Sequence, residues 1–330
     1  MQHVSVIGAG AWGTALALAA FRAGSRVTLW SISLDEVETI NLRHENVYRL
    51  PGIPLDPNIQ ATLSAEEAAR ADVLILTPPA QCMRSTCETF QPFVAPHVPL
   101  VIASKGIEHD TCLLMSEVVR EIFPKNPILI LSGPSFAHDV AKKLPVAVVL
   151  AAETLDIGRQ VAPVLASASF RLYGSTDLIG VQVGGACKNV IAIACGIAEG
   201  RGLGDSASAA LLTRGLAEIT RLGCALGARP ETFLGLAGAG DITLTALSDQ
   251  SRNRSFGLAL GRGTPLQELL AAKDTLTEGV HTVAGAHALA NHHQIHMPLT
   301  AVMHALLCGE EPIDALFERI LSKPLTFDAE

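Results

Sequence analysis

The stretch His3–Ala23, HVSVIGAGAWGTALALAAFRA, decides the fold. Its first residues form an apolar, β-branched run that ends at Gly8, the signature of a buried strand. From Ala11 onward the pattern turns helical. The junction reads Gly8-Ala9-Gly10-Ala11-Trp12-Gly13, a GxGxxG motif between strand and helix. Glycines at those positions allow a tight turn, let a pyrophosphate approach the backbone and let the helix pack closely on the strand, while the helix N-terminus holds the phosphates. Gly8, Gly10, Ala11, Trp12 and Gly13 are therefore the candidate cofactor-binding residues of a dinucleotide domain. Residues 4–21 carry no charge, as in a signal peptide, but no basic segment precedes them and glycines interrupt the run.

A second strand follows at Arg26–Trp30. The acid that holds an adenosine ribose in many such domains sits at the end of that strand. This chain has Trp30-Ser31-Ile32-Ser33 there, with no acid before Asp35 and Glu36. An acid repels a 2′-phosphate, so its absence favours NADP over NAD, although no Arg or Lys fills the position either.

Strands and helices continue to alternate. Apolar runs at 71–77, 99–103, 128–131, 146–151 and 170–173 read as strands, with helices between them. Continuous apolar strands imply a parallel sheet covered on both faces. The expected fold is α/β, a Rossmann-like doubly wound parallel sheet domain over residues 1–176, followed by an all-α domain over 177–330. Ligands of such sheets lie beyond the carboxyl ends of the strands. Two further turns are expected at that edge: Ser104-Lys105-Gly106 and Ser132-Gly133-Pro134-Ser135-Phe136-Ala137.

The helical half opens on LIGVQVGGACKNVIAIACGIA (residues 178–198), in which Lys188 is the one charge. Ser175, Thr176 and Asp177 supply an N-cap, and Gly184, Gly185 and Ala192 share the face of Lys188. Three readings fit: a membrane span, opposed by a Lys that costs about 2.5–3.5 kcal/mol at mid-span; a structural buried lysine; or a working lysine whose pKa desolvation lowers toward neutrality. Further on, Gly238-Ala239-Gly240-Asp241 reads as a flexible turn presenting one acid. Ser251-Arg252-Asn253-Arg254 reads as a donor cluster suited to a phosphate ester.

Composition narrows the function. The 330 residues are 49% hydrophobic with net charge −8 and no basic tract, which argues against a nucleic-acid partner. Seven cysteines, odd in number and without a CxxC pair, point to a reducing cytoplasm and away from disulfides or zinc. Cys187 and Cys195 read as small core residues, Trp12 and Trp30 as packing side chains, and His292, His293 and His296 as a surface patch with no metal.

Taken in order, Gly8 to Ala17, Ser104-Lys105-Gly106-Ile107-Glu108, Ser132 to Ala137, Lys188-Asn189, Gly238 to Asp241, Ser251-Arg252-Asn253 and Thr277-Glu278-Gly279 resemble the bacterial-type NAD(P)-dependent glycerol-3-phosphate dehydrogenases, along residues 3 to about 320. The resemblance implies hydride transfer between NAD(P)H and C2 of dihydroxyacetone phosphate, giving sn-glycerol 3-phosphate for phospholipids in a cytoplasmic homodimer. It implies Lys188 as proton donor and acceptor, and substrate contacts from Lys105, Gly133, Ser135, Lys188, Asp241, Ser251, Arg252 and Asn253. It adds Trp12, Lys105, Ala137, Arg252, Leu276 and Glu278 as cofactor contacts. The chain departs from the family pattern at Ser31-Ile32-Ser33, where a basic residue is common, and at Tyr48-Arg49-Leu50-Pro51, a variant of an Asn-x-x-Tyr-Leu-Pro turn. A 3-hydroxyacid dehydrogenase shares the glycine four residues before the lysine but expects Asn where Ala192 stands. A UDP-sugar dehydrogenase shares the look of Gly184 to Cys187 but is longer. A cofactor sensor without turnover has no need of Lys188.

Overall fold

The computed structural model describes residues 1–271 and 278–314. Eight strands, His3–Ile7 (β1), Arg26–Trp30 (β2), Gln60–Thr62 (β3), Val73–Leu76 (β4), Leu100–Ile102 (β5), Ile128–Ser132 (β6), Val146–Ala152 (β7) and Phe170–Ser175 (β8), form one sheet in the order β3-β2-β1-β4-β5-β6-β7-β8. Helices Ala11–Arg22 (α1), Leu34–Arg43 (α2), Ala65–Ala69 (α3), Met83–Phe90 (α4), Met115–Ile122 (α5), Ala137–Ala141 (α6) and Leu155–Val161 (α7) accompany it. The chain then turns helical, through Leu178–Gly200 (α8), Asp205–Ala225 (α9), Pro230–Leu234 (α10), Asp241–Leu247 (α11), Arg252–Gly261 (α12), Leu266–Ala271 (α13), Glu278–His292 (α14) and Pro298–Leu307 (α15). The α/β sheet followed by an all-helical part matches the expected fold class. The helix expected at 310–322 falls mostly outside the described residues.

Strands β4, β5 and β6 are buried at every position, which is why they read as unbroken apolar runs. Strand β3 was not expected: Gln60-Ala61-Thr62 is too short and too polar to show a pattern.

The sheet is not wholly parallel, which corrects the expectation from sequence. Strand β7 runs antiparallel to β6, while β8 runs parallel to β7. The connection at 133–145 holds a tight turn and the short α6, which docks on α1; no helix crosses the sheet to return the chain to its starting edge. The reversal has a consequence for the site. Strand β8 ends at the amino edge of the parallel strands, so α8 starts there and runs back along the sheet. Ten residues of helix rise about 15 Å, close to the length of a five-residue strand. Lys188, ten residues after Leu178, therefore arrives at the carboxyl edge of β6, where a Cβ on the adjacent Gly185 would run into Ser132.

Helix α8 is long and apolar enough to cross a membrane by length and composition, but 89% of its apolar window is buried inside the protein. It is the central helix of the second half, wrapped by α9, α11, α12 and α14. Its closest neighbour is α12, and glycines set that approach. A Cβ on Gly257 would collide with the Ile193 carbonyl, and one on Gly196 with the carbonyl of Arg254. Alanine at 257 gains about 1 kcal/mol of helix propensity, while overpacking against backbone costs about 1–3 kcal/mol. Gly257→Ala should therefore lower the urea midpoint of unfolding; a raised midpoint would show that the two helices have slack.

Candidate active site

The glycine loop is held from two sides. Gly8 lies at φ +116°, and a Cβ there would come within 2.9 Å of Thr77 Oγ1, so the turn requires glycine. Thr77 Oγ1 donates to the Ile7 and Gly8 carbonyls at 3.0 and 2.9 Å. On the other side buried Asn46 donates through Nδ2 to the Ala9 carbonyl at 2.8 Å and to Thr14 Oγ1 at 2.9 Å. A Cβ on Gly10 would meet nothing within 4 Å, so the outer side of the loop is open. Ala11 and Gly13 open α1, and the indole Nε1 of Trp12 is buried without a hydrogen-bond partner among the described residues. An open backbone concavity at a helix start, next to an unsatisfied donor, fits a dinucleotide pyrophosphate.

From this loop the strand ends lead step by step to the lysines. Ser104 Oγ donates to the Pro78 carbonyl at 2.5 Å, tying the turn after β5 to the turn after β4. Lys105 follows, and its Nζ donates to Asp241 Oδ2 at 2.6 Å and to the Gly133 carbonyl at 3.3 Å. Gly133 follows β6 at φ +145°, with its Cβ position 2.9 Å from Val148 Cα. Ser135 Oγ donates to the same Gly133 carbonyl at 3.1 Å. Lys188 Nζ donates to Asp241 Oδ1 and, at 2.9 Å, to Thr245 Oγ1. The Thr245 hydroxyl donates in turn to the Asp241 carbonyl at 2.7 Å, which leaves its lone pairs facing Lys188.

Lysines 83 residues apart in sequence thus share one carboxylate, each on its own oxygen. An ammonium has three donors; with two engaged in protein contacts, each lysine keeps one. Burial pulls the Lys188 ammonium down, Asp241 pulls it back up and Lys105 pushes it down again, with the balance at about 8. That value lies where an amine can give and take a proton near neutrality.

The reading of Gly238 to Asp241 as a flexible turn is corrected. Leu236–Gly240 is a π-helical turn that continues into α11, and Asp241 is fully buried. Small residues make it rigid: a Cβ on Gly238 would strike the Phe233 backbone, and one on Gly184 the Ala237 carbonyl. Gly184, one turn before Lys188, therefore serves close packing against the segment that carries Asp241, while Gly185 faces Ser132.

The donor cluster divides by role. Ser251 is buried and N-caps α12, accepting from the Arg254 N–H at 3.2 Å. Arg254 is engaged by Glu199 at 2.6 Å and Asp249 at 2.7 Å, so it leaves the expected phosphate cluster. Asn253 donates to Asn189 Oδ1 at 3.0 Å and accepts from the Gly279 N–H at 3.0 Å, joining α12 to α8 and α14. Arg252 is exposed, and its charge, with those of Lys105 and Lys188, acts on Glu278, whose carboxyl burial raises. Ala137 opens α6 directly after the Ser132 to Phe136 turn. Leu276 lies outside the described residues.

Thr77, Asn46 and Thr245 escaped the sequence reading. Thr245 had a signal, since it lies four residues after Asp241 and so on the same helix face. Cys187 and Cys195 sit in the apolar core, where burial pushes each thiol up to about 12 and removes it as a nucleophile. The rings of His292 and His293 meet edge to face, and the His296 carbonyl accepts from Arg221.

Comparison with known proteins agrees with this architecture. Models for the N-terminal and C-terminal parts of NAD-dependent glycerol-3-phosphate dehydrogenase match residues 3–157 and 177–318. A glycerol-3-phosphate dehydrogenase (NAD(P)+) of Rhodospirillum rubrum is 48% identical over 98% of this chain and 93% of its own length. One from Caulobacter vibrioides is 48% identical over 99% of both chains. The crystal structure of glycerol-3-phosphate dehydrogenase from Coxiella burnetii superposes with a TM-score of 0.93 at 36% identity, covering 98% of this chain and 99% of that one. A D-mandelate dehydrogenase, at 15% identity and TM-score 0.63 over 95% of this chain and 99% of its own, shares the fold alone. Both halves of the family's signature are present, in order and over nearly the full length, and the chain belongs to the NAD-dependent glycerol-3-phosphate dehydrogenase family.

Proposed function

We propose that the chain catalyses NAD(P)H-dependent reduction of dihydroxyacetone phosphate to sn-glycerol 3-phosphate. The observation that carries this reading is the pair of lysines on Asp241, set at the same strand edge as the open glycine loop. A nicotinamide dinucleotide held at that loop supplies the hydride that reduces C2. The chain's own residues do the rest. Protonated Lys188 gives its remaining N–H to the C2 oxygen as negative charge builds there. Thr245 and Asp241 fix the direction of that amine. Lys105 offers a second N–H to the same oxygen or to a neighbouring hydroxyl. Arg252, exposed and within electrostatic reach of the cluster, holds the phosphate with Asn253. Ser251 places Arg252 and Asn253 by capping their helix. Gly133 and Ser135 would complete the substrate contacts, and Trp12, Ala137 and Glu278 those of the cofactor.

Residues 1–176 and 177–330 are read as cofactor and substrate domains, with Lys188 carried across by α8. NADPH is the preferred donor, supported by the absence of an acid from Trp30-Ser31-Ile32-Ser33. A cytoplasmic homodimer feeding phospholipid synthesis fits the family and the free thiols. One assay tests the activity: loss of NADPH absorbance with dihydroxyacetone phosphate, compared with a 3-oxoacid and with no ketone. Turnover of the phosphorylated triose alone supports the proposal, and equal or faster turnover of the 3-oxoacid refutes it.

A further inference from the structure

Arg49 is tied through Glu36 to Ser31 at the carboxyl end of β2, where a dinucleotide domain meets the ribose 2′ position. We propose that Arg49 binds the 2′-phosphate of NADPH, with Glu36 as its positioning residue. The inference rests on the dehydrogenase reading and adds the group that selects the cofactor.

The nearest acid at that strand end faces inward. Glu36 is 6% exposed; its Oε2 accepts from Ser31 Oγ at 2.5 Å and its Oε1 from Arg49 Nε at 2.7 Å. Both oxygens are engaged within the protein, and the Glu36 charge is opposed by a guanidinium. Ser33 N-caps α2 and its N–H goes to Ser31 Oγ at 3.1 Å, which pins the loop between β2 and α2. Arg49, by contrast, has a side chain 59% exposed. Of its five donors, the Nε–H goes to Glu36, which sets the plane of the fork. The Arg49 N–H goes to Asn46 Oδ1 at 3.2 Å, and it is Asn46 that holds the Ala9 carbonyl of the glycine loop. One buried asparagine thus fixes both the pyrophosphate loop and the arginine relative to each other. Ile32, 85% exposed, and Leu34, 56% exposed, flank the position as apolar surface for an adenine.

The chemistry favours a phosphate there. Ser31, Ile32 and Ser33 bring no cation to the strand end, and Arg49 is the cation that the fold brings to it. A guanidinium fork matches a phosphate bidentately, whereas a ribose hydroxyl needs an acceptor, and the acceptor present is already engaged.

The test uses adenosine 2′,5′-bisphosphate and 5′-AMP, which differ only in the 2′-phosphate, bound to the full chain in a calorimeter. A charge-assisted hydrogen bond of about 1.5–3 kcal/mol corresponds to about 10–100-fold. The wild type should bind the bisphosphate tighter by that factor. Arg49→Ala should erase the difference and leave AMP affinity unchanged. The double variant Glu36→Gln with Arg49→Ala should erase it equally, showing that the loss comes from the missing fork and not from an unmasked carboxylate. Discrimination that survives in the double variant, or is absent from the wild type while AMP still binds, overturns the role of Arg49 and leaves the dehydrogenase reading standing. Failure of both nucleotides to bind overturns both.

Discussion

Lys188→Ala should lower turnover of dihydroxyacetone phosphate by about 10²–10⁴-fold, the usual loss on removing a general acid, with NADPH affinity nearly unchanged. The split follows from placement. The amine reaches the strand edge from α8, while the cofactor loop is fastened by Thr77 and Asn46, which do not touch Lys188. Asp241 keeps Lys105 in the variant, so its charge is not stranded. Lys188→Arg keeps the charge but gives up no proton at any working pH, and it should lose turnover comparably. Turnover within about threefold of wild type in Lys188→Ala, far below the general-acid effect, would remove the amine from the mechanism. Fluorescence titration of NADPH and steady-state rates provide the two readouts.

Asp241→Asn should be more damaging still, because it acts on both stability and chemistry. The wild-type carboxylate is fully buried between two ammonium groups. Without its charge those groups face each other in the interior; removing one partner of a buried ion pair typically costs about 3–5 kcal/mol. Asp241 raises the Lys188 pKa, so its loss drives that pKa below about 8. Less amine is then protonated at neutral pH, and the ketone-reducing rate falls with it. Lys105 has the opposite sign, since its charge lowers the Lys188 pKa, so Lys105→Met should move the alkaline limb of the rate profile upward. Stability follows the same linkage. A lysine whose folded pKa is depressed binds fewer protons folded than unfolded, so between about 8 and 10.4 its contribution to stability improves as pH rises. Asp241→Asn should therefore regain part of its lost stability at alkaline pH, measurable as a rising Tm. A Tm that falls with pH there would mean that the lysines were not the source of the damage.

Much of this was legible in the chain because the signals are local. Gly8 to Gly13 sits between a strand and a helix; Gly8 and Gly13 answer steric demands that the structure then shows, while Gly10 leaves the outer side of the loop open. Lys188 stands out because everything within two turns is uncharged. Contacts at long range left less trace. Nothing in the sequence fixes Lys105, Lys188 and Asp241 on one point, because their meeting depends on β7 turning back against β6 and sending α8 in from the opposite edge. An apolar strand looks the same in either direction, so that reversal was read as parallel. The Gly238 to Asp241 segment was misjudged for a related reason. Glycines mean flexibility in isolation, but here they let the segment pack against Phe233 and α8 with no room to move. Arg254 looked available because its acidic partners, Glu199 and Asp249, come partly from another helix.

The pH dependence of kcat/KM, followed in both directions, bears most directly on Lys188 as the proton-transfer group. Ketone reduction needs the ammonium and should fall as pH rises through about 8; oxidation of glycerol 3-phosphate needs the free amine and should rise over the same range. Limbs of opposite sign are the predicted result. Two flat profiles between pH 7 and about 9.5, or two limbs of the same sign, would contradict it.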